Sequence, residues 1–202
     1  MTTKREQNLQ KLKREKKDLY ILSAISVFEE KGFNNARVKD ITNRAGTSVG
    51  NFYRYFDSKE AIFETIIDQF YSLMIEKLQK LQTYDVPPID DVKILFREYI
   101  KIFSEKRKIA LIFIEQMGGI NKKYKKRKNK YLENFADEVK KIITKLVDLK
   151  VARIQHPHVT SRAWIATILG CFQWWLREGN ELNSEELIDN LTNFLVKGTM
   201  SK

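Results

Sequence analysis

Residues 37–56 read RVKDITNRAGTSVGNFYRYF, and the second half of that stretch gathers a hydroxyl, an amide, a guanidinium and two phenols in Ser48, Asn51, Arg54, Tyr53 and Tyr55. At helical spacing Phe52 and Phe56 share one face, while Ser48, Gly50, Asn51 and Arg54 turn away from it. The outward face carries donors and acceptors at fixed spacing but no nucleophile beside a base. Its chemistry is therefore recognition. Amides pair with base edges, and a phenol whose ring packs at the margin of an apolar face reaches a phosphate with its hydroxyl. Gly50 lets another backbone come close.

Elsewhere the chain offers little to catalysis. It has no Gly-rich phosphate loop, no H-E-x-x-H and no nucleophile elbow, and the carboxylate pair Glu185-Glu186 sits on an exposed helix start, so neither an enzyme nor a cofactor is expected. The single cysteine, Cys171, lies in ILGCFQWW and is expected to be a buried thiol. His156 and His158 flank Pro157 in QHPHV without a Cys or carboxylate cluster, so no metal site is expected. Lys122 to Lys130 places seven basic residues in nine, which reads as a solvated loop or helix start, the alternative being a second polyanion contact.

The elements that position the recognition face are helices. Ile21, Ala24, Ile25 and Phe28 form the stripe of a first helix, ended where Gly32 takes a left-handed conformation. Val38, Ile41 and Ala45 mark a short second helix closed by Gly46, and Ser48 to Phe56 make a third. DSKE then opens a long fourth helix, with Ser58 or Asp57 as its cap, running to TYDVPPID, where two prolines stop it. Further helices are expected over roughly 89–105, 107–117, 122–148, 159–178 and 184–197. Two short helices joined by a Gly-containing turn are the helix-turn-helix plan, whose second helix enters the major groove.

The 202 residues are 43% hydrophobic and carry a formal charge of +11. That surplus suits a polyanion partner but is spread, +5 over residues 1–60 and +6 over 61–202. No apolar run reaches the ~18 residues of a membrane span, and the charged N-terminus has no apolar segment of a secretory signal behind it. A reducing cytoplasm is the expected compartment.

Residues 18–65 resemble the TetR family of bacterial transcriptional regulators. The resemblance rests on Ala24, Phe28, Gly32, Phe33, Val38, Asp40, Ile41, AGTS at 45–48, Gly50, FYRYF at 52–56 and Lys59-Glu60. Thr42, where the family usually has alanine, and Asn35-Ala36, where a threonine pair commonly opens the second helix, depart from it. The resemblance implies an all-α chain, with a helix-turn-helix DNA-binding domain over 1–61 and an effector-binding and dimerisation domain over 62–202. It implies DNA contacts from Lys39, Ser48, Val49, Gly50, Asn51, Tyr53, Tyr55 and Lys59. Lys59, Tyr53 and Tyr55 would hold phosphates, and Asn51, Val49 and Lys39 would meet bases. The implied activity is that of a repressor acting as a homodimer on a pseudo-palindromic duplex operator and released by a small effector.

In the family the last two helices form a four-helix bundle across a two-fold axis. Here Ile168 and Phe172 lie in WIATILGCFQWWL, apolar on nearly every side, and Leu187, Leu191, Phe194 and Leu195 form an apolar stripe suited to a partner, the alternative being that both helices only complete an intrachain core. Large soft side chains, among them Phe103, Phe113, Met117, Phe135, Trp164 and Trp175, read either as ordinary core, the commoner role of such residues, or as the lining for a hydrophobic effector. A DNA-associated scaffold of the same fold, holding a protein partner and sensing no metabolite, is the competing reading.

Overall fold

Thr3 Oγ1 accepts a hydrogen bond from the backbone N–H of Glu6, and the Glu6 carboxylate accepts one from Thr3 N–H at 2.7 Å, a capping box that starts α1, Lys4–Asn35. The computed structural model describes residues 3–83, 89–178 and 183–197, and every regular element among them is helical. The chain divides into two compact units, Met1–Phe70 and Tyr71–Lys202.

In the first unit, α1 is followed by α2, Val38–Arg44, α3, Val49–Phe52, and the start of α4, Lys59–Lys80. Gly32 has a φ of +72° and interrupts the regular path of α1 where expected. The helix begins some seventeen residues before the apolar stripe does, and its first buried side chain is Tyr20. The core of this unit is aromatic. Phe28, Phe33 and Phe63 pack pairwise with ring centroids 4.6–5.5 Å apart, and Phe52 lies edge-on to Tyr20 at 5.4 Å. Phe28, Phe52 and Phe63 are fully buried, each stabilising the unit by about 1.5–3 kcal/mol.

The second unit begins inside α4, whose last turn leads into a 3₁₀ turn, Leu81–Thr83. The prolines expected to end the helix, Pro87 and Pro88, lie outside the described residues. Then come α5, Ile89–Glu105, α6, Arg107–Leu111, a π-helical turn, Ile112–Gln116, and α7, Met117–Ile120. α8, Lys122–Asp148, α9, Pro157–Glu178, α10, Ser184–Thr192, and a second π-helical turn, Asn193–Lys197, complete it. The basic run is the start of α8. Seven cations at a helix N-terminus oppose the dipole, and the Asn121 side chain caps it by accepting from Tyr124 N–H at 3.0 Å.

On α9, Ser161, Phe172 and Leu176 are buried within the protomer, while Trp174 is 45% exposed and Val159 62%. Cys171 is half-buried, not buried, and the burial it has pushes its thiol up. The last stripe is covered mostly from within its own protomer. Phe172, Leu187, Leu191 and Leu195 are buried within their own protomer, Ile168 is half-buried, and Phe194 alone of the six lies open, at 69%. α10 packs against α5, to which it is tied by Lys93–Asp189 and Arg97–Glu185, both 2.7 Å.

Candidate nucleic-acid interface

The turn between α2 and α3 depends on Gly46, whose φ of +61° favours a residue without Cβ. The turn is closed by Thr47 N–H donating to Thr42 O at 2.9 Å and Ala45 N–H donating to Ile41 O at 2.9 Å. Ser48 then caps α3, its Oγ accepting from Asn51 N–H at 3.2 Å. The polar face of α3 is thereby presented from a fixed start while Phe52 and Phe56 anchor it from below.

Asn51 is more constrained than its place in a polar face suggests. Its Nδ2 donates to Tyr20 Oη at 2.9 Å, and Tyr20 is fully buried against Phe52 and Tyr55. One Nδ2 hydrogen is used, leaving the other and the Oδ1 acceptor, the pair a bidentate contact to adenine requires. A solvent-open cleft of about 610 Å³ runs past this amide, lined by Lys16, Thr47, Ser48, Gly50, Asn51 and Arg54. The Thr47 hydroxyl is buried beside the cleft with no hydrogen-bond partner among the described residues.

Flanking charges are held by ion pairs. Arg44 makes two hydrogen bonds of 2.6 Å to the Glu30 carboxylate, which raise its guanidinium above the usual range. Lys31 Nζ lies 2.7 Å from Asp40, whose carboxyl is lowered first by that lysine and then by the Arg37 N–H it accepts from. Asp40, at the third position of α2, thus accepts the N–H of the cap residue Arg37 and helps close the start of that helix.

Of the eight residues expected at DNA, Lys39, Ser48, Val49, Gly50 and Tyr53 are exposed, and Asn51 and Tyr55 are half-buried on the same side of the module. Lys59 is placed differently. Its ammonium donates to Phe33 O at 2.7 Å and Ala36 O at 2.9 Å and sits 4.3 Å from the centroid of the Phe33 ring. Two of its three donors are spent closing the end of α1, because the last carbonyls of that helix have no helical partner and a cation satisfies them. Lys16 was missed by sequence reading. The i, i+4 relation of Lys16 to Tyr20 was the available signal, but Tyr20 was not recognised as the residue that meets α3.

In the second unit the expected effector residues divide. Phe113 stacks on Tyr131 at 6.1 Å, Tyr131 stacks on Tyr71 at 4.2 Å, and Tyr71 lies edge-on to Phe135 at 5.3 Å, so Phe113 and Phe135 belong to one aromatic row. Asn134 Nδ2 donates to Tyr71 Oη at 3.0 Å within it. Phe103 packs on Phe172 at 4.9 Å. Met117 is fully buried, whereas Trp164 and Trp175 are half-buried on α9. Tyr71 and Tyr131 were missed, although Tyr131 and Phe135 are four apart on one helix face. A cleft of about 240 Å³ between α8 and α9, lined by Leu132, Glu133, Ala136, Arg162, Ile165 and Leu169, contains none of the expected residues.

No described helix is long and apolar enough to cross a membrane, and no group of three metal-ligating side chains occurs among the described residues.

Comparison with known proteins follows the same division of the chain. The family model described as bacterial regulatory proteins, tetR family, matches residues 21–66, and the one described as tetracyclin repressor-like, C-terminal domain, matches residues 85–199. The HTH-type transcriptional regulator YuxN of Bacillus subtilis is 26% identical over 129 residues, 64% of this chain and 41% of YuxN. This chain covers only 26–41% of the lengths of three such B. subtilis regulators, YuxN among them. Among solved structures, SmeT, the repressor of a Stenotrophomonas maltophilia multidrug efflux pump, superposes in its triclosan complex with a TM-score of 0.81 at 17% identity, covering 93% of both chains. FadR of B. subtilis in complex with stearoyl-CoA superposes with a TM-score of 0.71 at 17% identity, covering 89% of this chain and 97% of FadR. At such identities these likenesses speak for the fold.

Proposed function

Because the chain belongs to the TetR family of bacterial regulatory proteins, we propose that it is a sequence-specific repressor, acting in the cytoplasm as a homodimer on a pseudo-palindromic operator and released by a small hydrophobic effector. The observation that carries DNA reading is Asn51, a half-buried amide held by Tyr20 with one donor and one acceptor still free beside a polar cleft. In this reading residues 1–61 bind DNA and 62–202 take the effector and the second protomer. Asn51, Val49 and Lys39 meet base edges. Tyr53, Tyr55 and the start of α3 hold phosphates, and Lys59 chiefly positions α1.

The dimer surface follows from what the fold leaves uncovered. Val159, Ala163, Ala166, Gly170 and Trp174 are exposed at spacings of four, three, four and four along α9, and Phe194 is exposed after α10. Small residues on that line let a second α9 approach closely, and Trp174 and Phe194 supply the apolar area that an isolated protomer would leave in water. The aromatic row of Phe113, Tyr131, Tyr71 and Phe135 supports an apolar effector, in keeping with the largely apolar triclosan and stearoyl chain bound by SmeT and FadR.

Selection from random duplexes tests the reading. An inverted repeat should be enriched, with half-sites separated by about one helical turn, ~34–36 Å, or a multiple of it. Asn51→Ala should flatten the preference at one base pair of each half-site by about 1–3 kcal/mol. Enrichment of no inverted repeat would sink the proposal. An effector found by thermal shift must bind less tightly when operator is present, by the same factor through which it weakens operator binding.

A further inference from the structure

The first half of α1 has no core to pack against, yet it is helical from Lys4. Among residues 4–19 only Lys16 is even half-buried. Its helicity rests on the Thr3–Glu6 capping box and on the Lys, Arg, Glu, Gln and Leu that dominate it. This segment also concentrates the charge of its unit. Residues 4–18 hold seven basic and three acidic side chains, so four of the five net positive charges of residues 1–60 fall there. An exposed helix that keeps its shape without a core of its own, and carries four of the five surplus charges of residues 1–60, is built for an anionic partner.

Its position says which partner. Lys16 lines the same cleft as Ser48, Asn51 and Arg54, and Lys17 Nζ lies 5.4 Å from the centroid of the Phe56 ring. At 100° per residue Arg5 comes within about 20° of Lys16 after three turns, and Lys13 stands one turn away on the adjoining side. Lys4 is twelve residues from Lys16, so the helix carries this face about 18 Å beyond the cleft. We propose that the N-terminal half of α1 is an additional DNA-binding surface, whose Arg5, Lys13 and Lys16 grip backbone phosphates flanking the half-site that α3 reads. The inference rests on the DNA-reading role proposed above. A lipid surface is the weaker match, because residues 4–18 contain only Leu9 and Leu12 as large apolar side chains, too few for a membrane-seated face.

Phosphate contacts of this kind are independent of sequence and visible in salt dependence. Each one removed makes the plot of log K against log salt shallower by about 0.9. The variant Arg5→Gln/Lys13→Gln keeps good helix formers and leaves Lys16 and α3 intact. For a dimer the slope should become shallower by up to about 3.6, with base preference in the selected operator unchanged. Trimming about 5 base pairs of flanking duplex, the ~18 Å reach divided by 3.4 Å per step, should weaken the parent protein and leave the variant almost unaffected. A parent that enriches no operator removes the DNA-reading role and this inference together. A parent that enriches one, while both proteins share the same salt slope within about 0.5, overturns the inference alone. So does binding of the parent to vesicles of equal phosphatidylcholine and phosphatidylglycerol that the variant loses, if the salt slopes agree.

Discussion

Tyr20→Phe isolates the orientation of Asn51 from its presence. The phenylalanine keeps the ring that packs on Phe52 at 5.4 Å and on Tyr55 at 5.5 Å, so the core is preserved and only the bond from Asn51 Nδ2 is lost. A hydrogen bond of this kind contributes about 0.5–1.5 kcal/mol net. Asn51 is half-buried and recovers water, which points to the lower end and to a fall in Tm of roughly 1–4 °C for a chain of this size. The larger effect is on recognition. An amide no longer held must be ordered when it meets a base, costing about 0.5–1.5 kcal/mol per side chain. Two protomers give about 1–3 kcal/mol, or roughly 5- to 150-fold in discrimination. Fluorescence anisotropy on the selected operator, and on one altered at the base pair under Asn51, measures that ratio. In a double-mutant cycle Tyr20→Phe should add nothing to Asn51→Ala, since there is no amide left to orient. Unchanged discrimination in Tyr20→Phe, or full additivity with Asn51→Ala, would refute the reasoning.

Three further outcomes are expected. Lys59→Ala should cost about 1–3 kcal/mol of stability by stripping two carbonyls of a charged donor, and leave the salt slope of DNA binding nearly unchanged; a slope shallower by about one unit per protomer would return Lys59 to the phosphates. Phe194→Glu should give folded monomers in sedimentation because that ring is 69% exposed, whereas Leu191→Glu should lower Tm steeply because Leu191 is buried within its own protomer. If Phe194→Glu stays dimeric, the bundle is not the interface. Glu115 pairs with Arg177, which is the largest cause lowering its carboxyl below the 4.5 of a free glutamate. A lowered folded value means stability present above about pH 4.5 and lost as pH falls through the folded value. Thermal melts of Glu115→Gln should therefore vary less than the parent's between pH 5 and 3, and identical profiles would show the pair to be without effect.

The helix-turn-helix was legible because its signals are local. Gly46 after Ile41 and Ala45, Ser48 as a cap, and Ser58 accepting from Ala61 N–H at 3.0 Å each act within four residues. The early start of α1 was not legible, since residues 4–19 show no apolar period and are helical by capping and propensity alone. Leu187, Leu191 and Leu195 show the limit of periodicity: a stripe states that a face is covered, not by what. Here α10 packs on α5 of the same protomer, and ion pairs 88 and 96 residues apart in sequence tie the two helices together. The π-helical turn at Ile112–Gln116, with Lys128 donating to the Ile114 carbonyl, left no mark on the sequence that distinguishes it from an ordinary helix.

The engagement of Lys59 with Phe33 O and Ala36 O bears on what could be transplanted. A recognition head moved to another body, to rewire which operator answers which signal, looks separable just after Phe56, where the aromatic run ends. A junction there would leave Lys59 behind and open the end of α1 in the head. The exchangeable piece has to include the first turn of α4, and a chimera joined upstream of Lys59 would lose DNA binding through a slackened module while every base-reading side chain was still present.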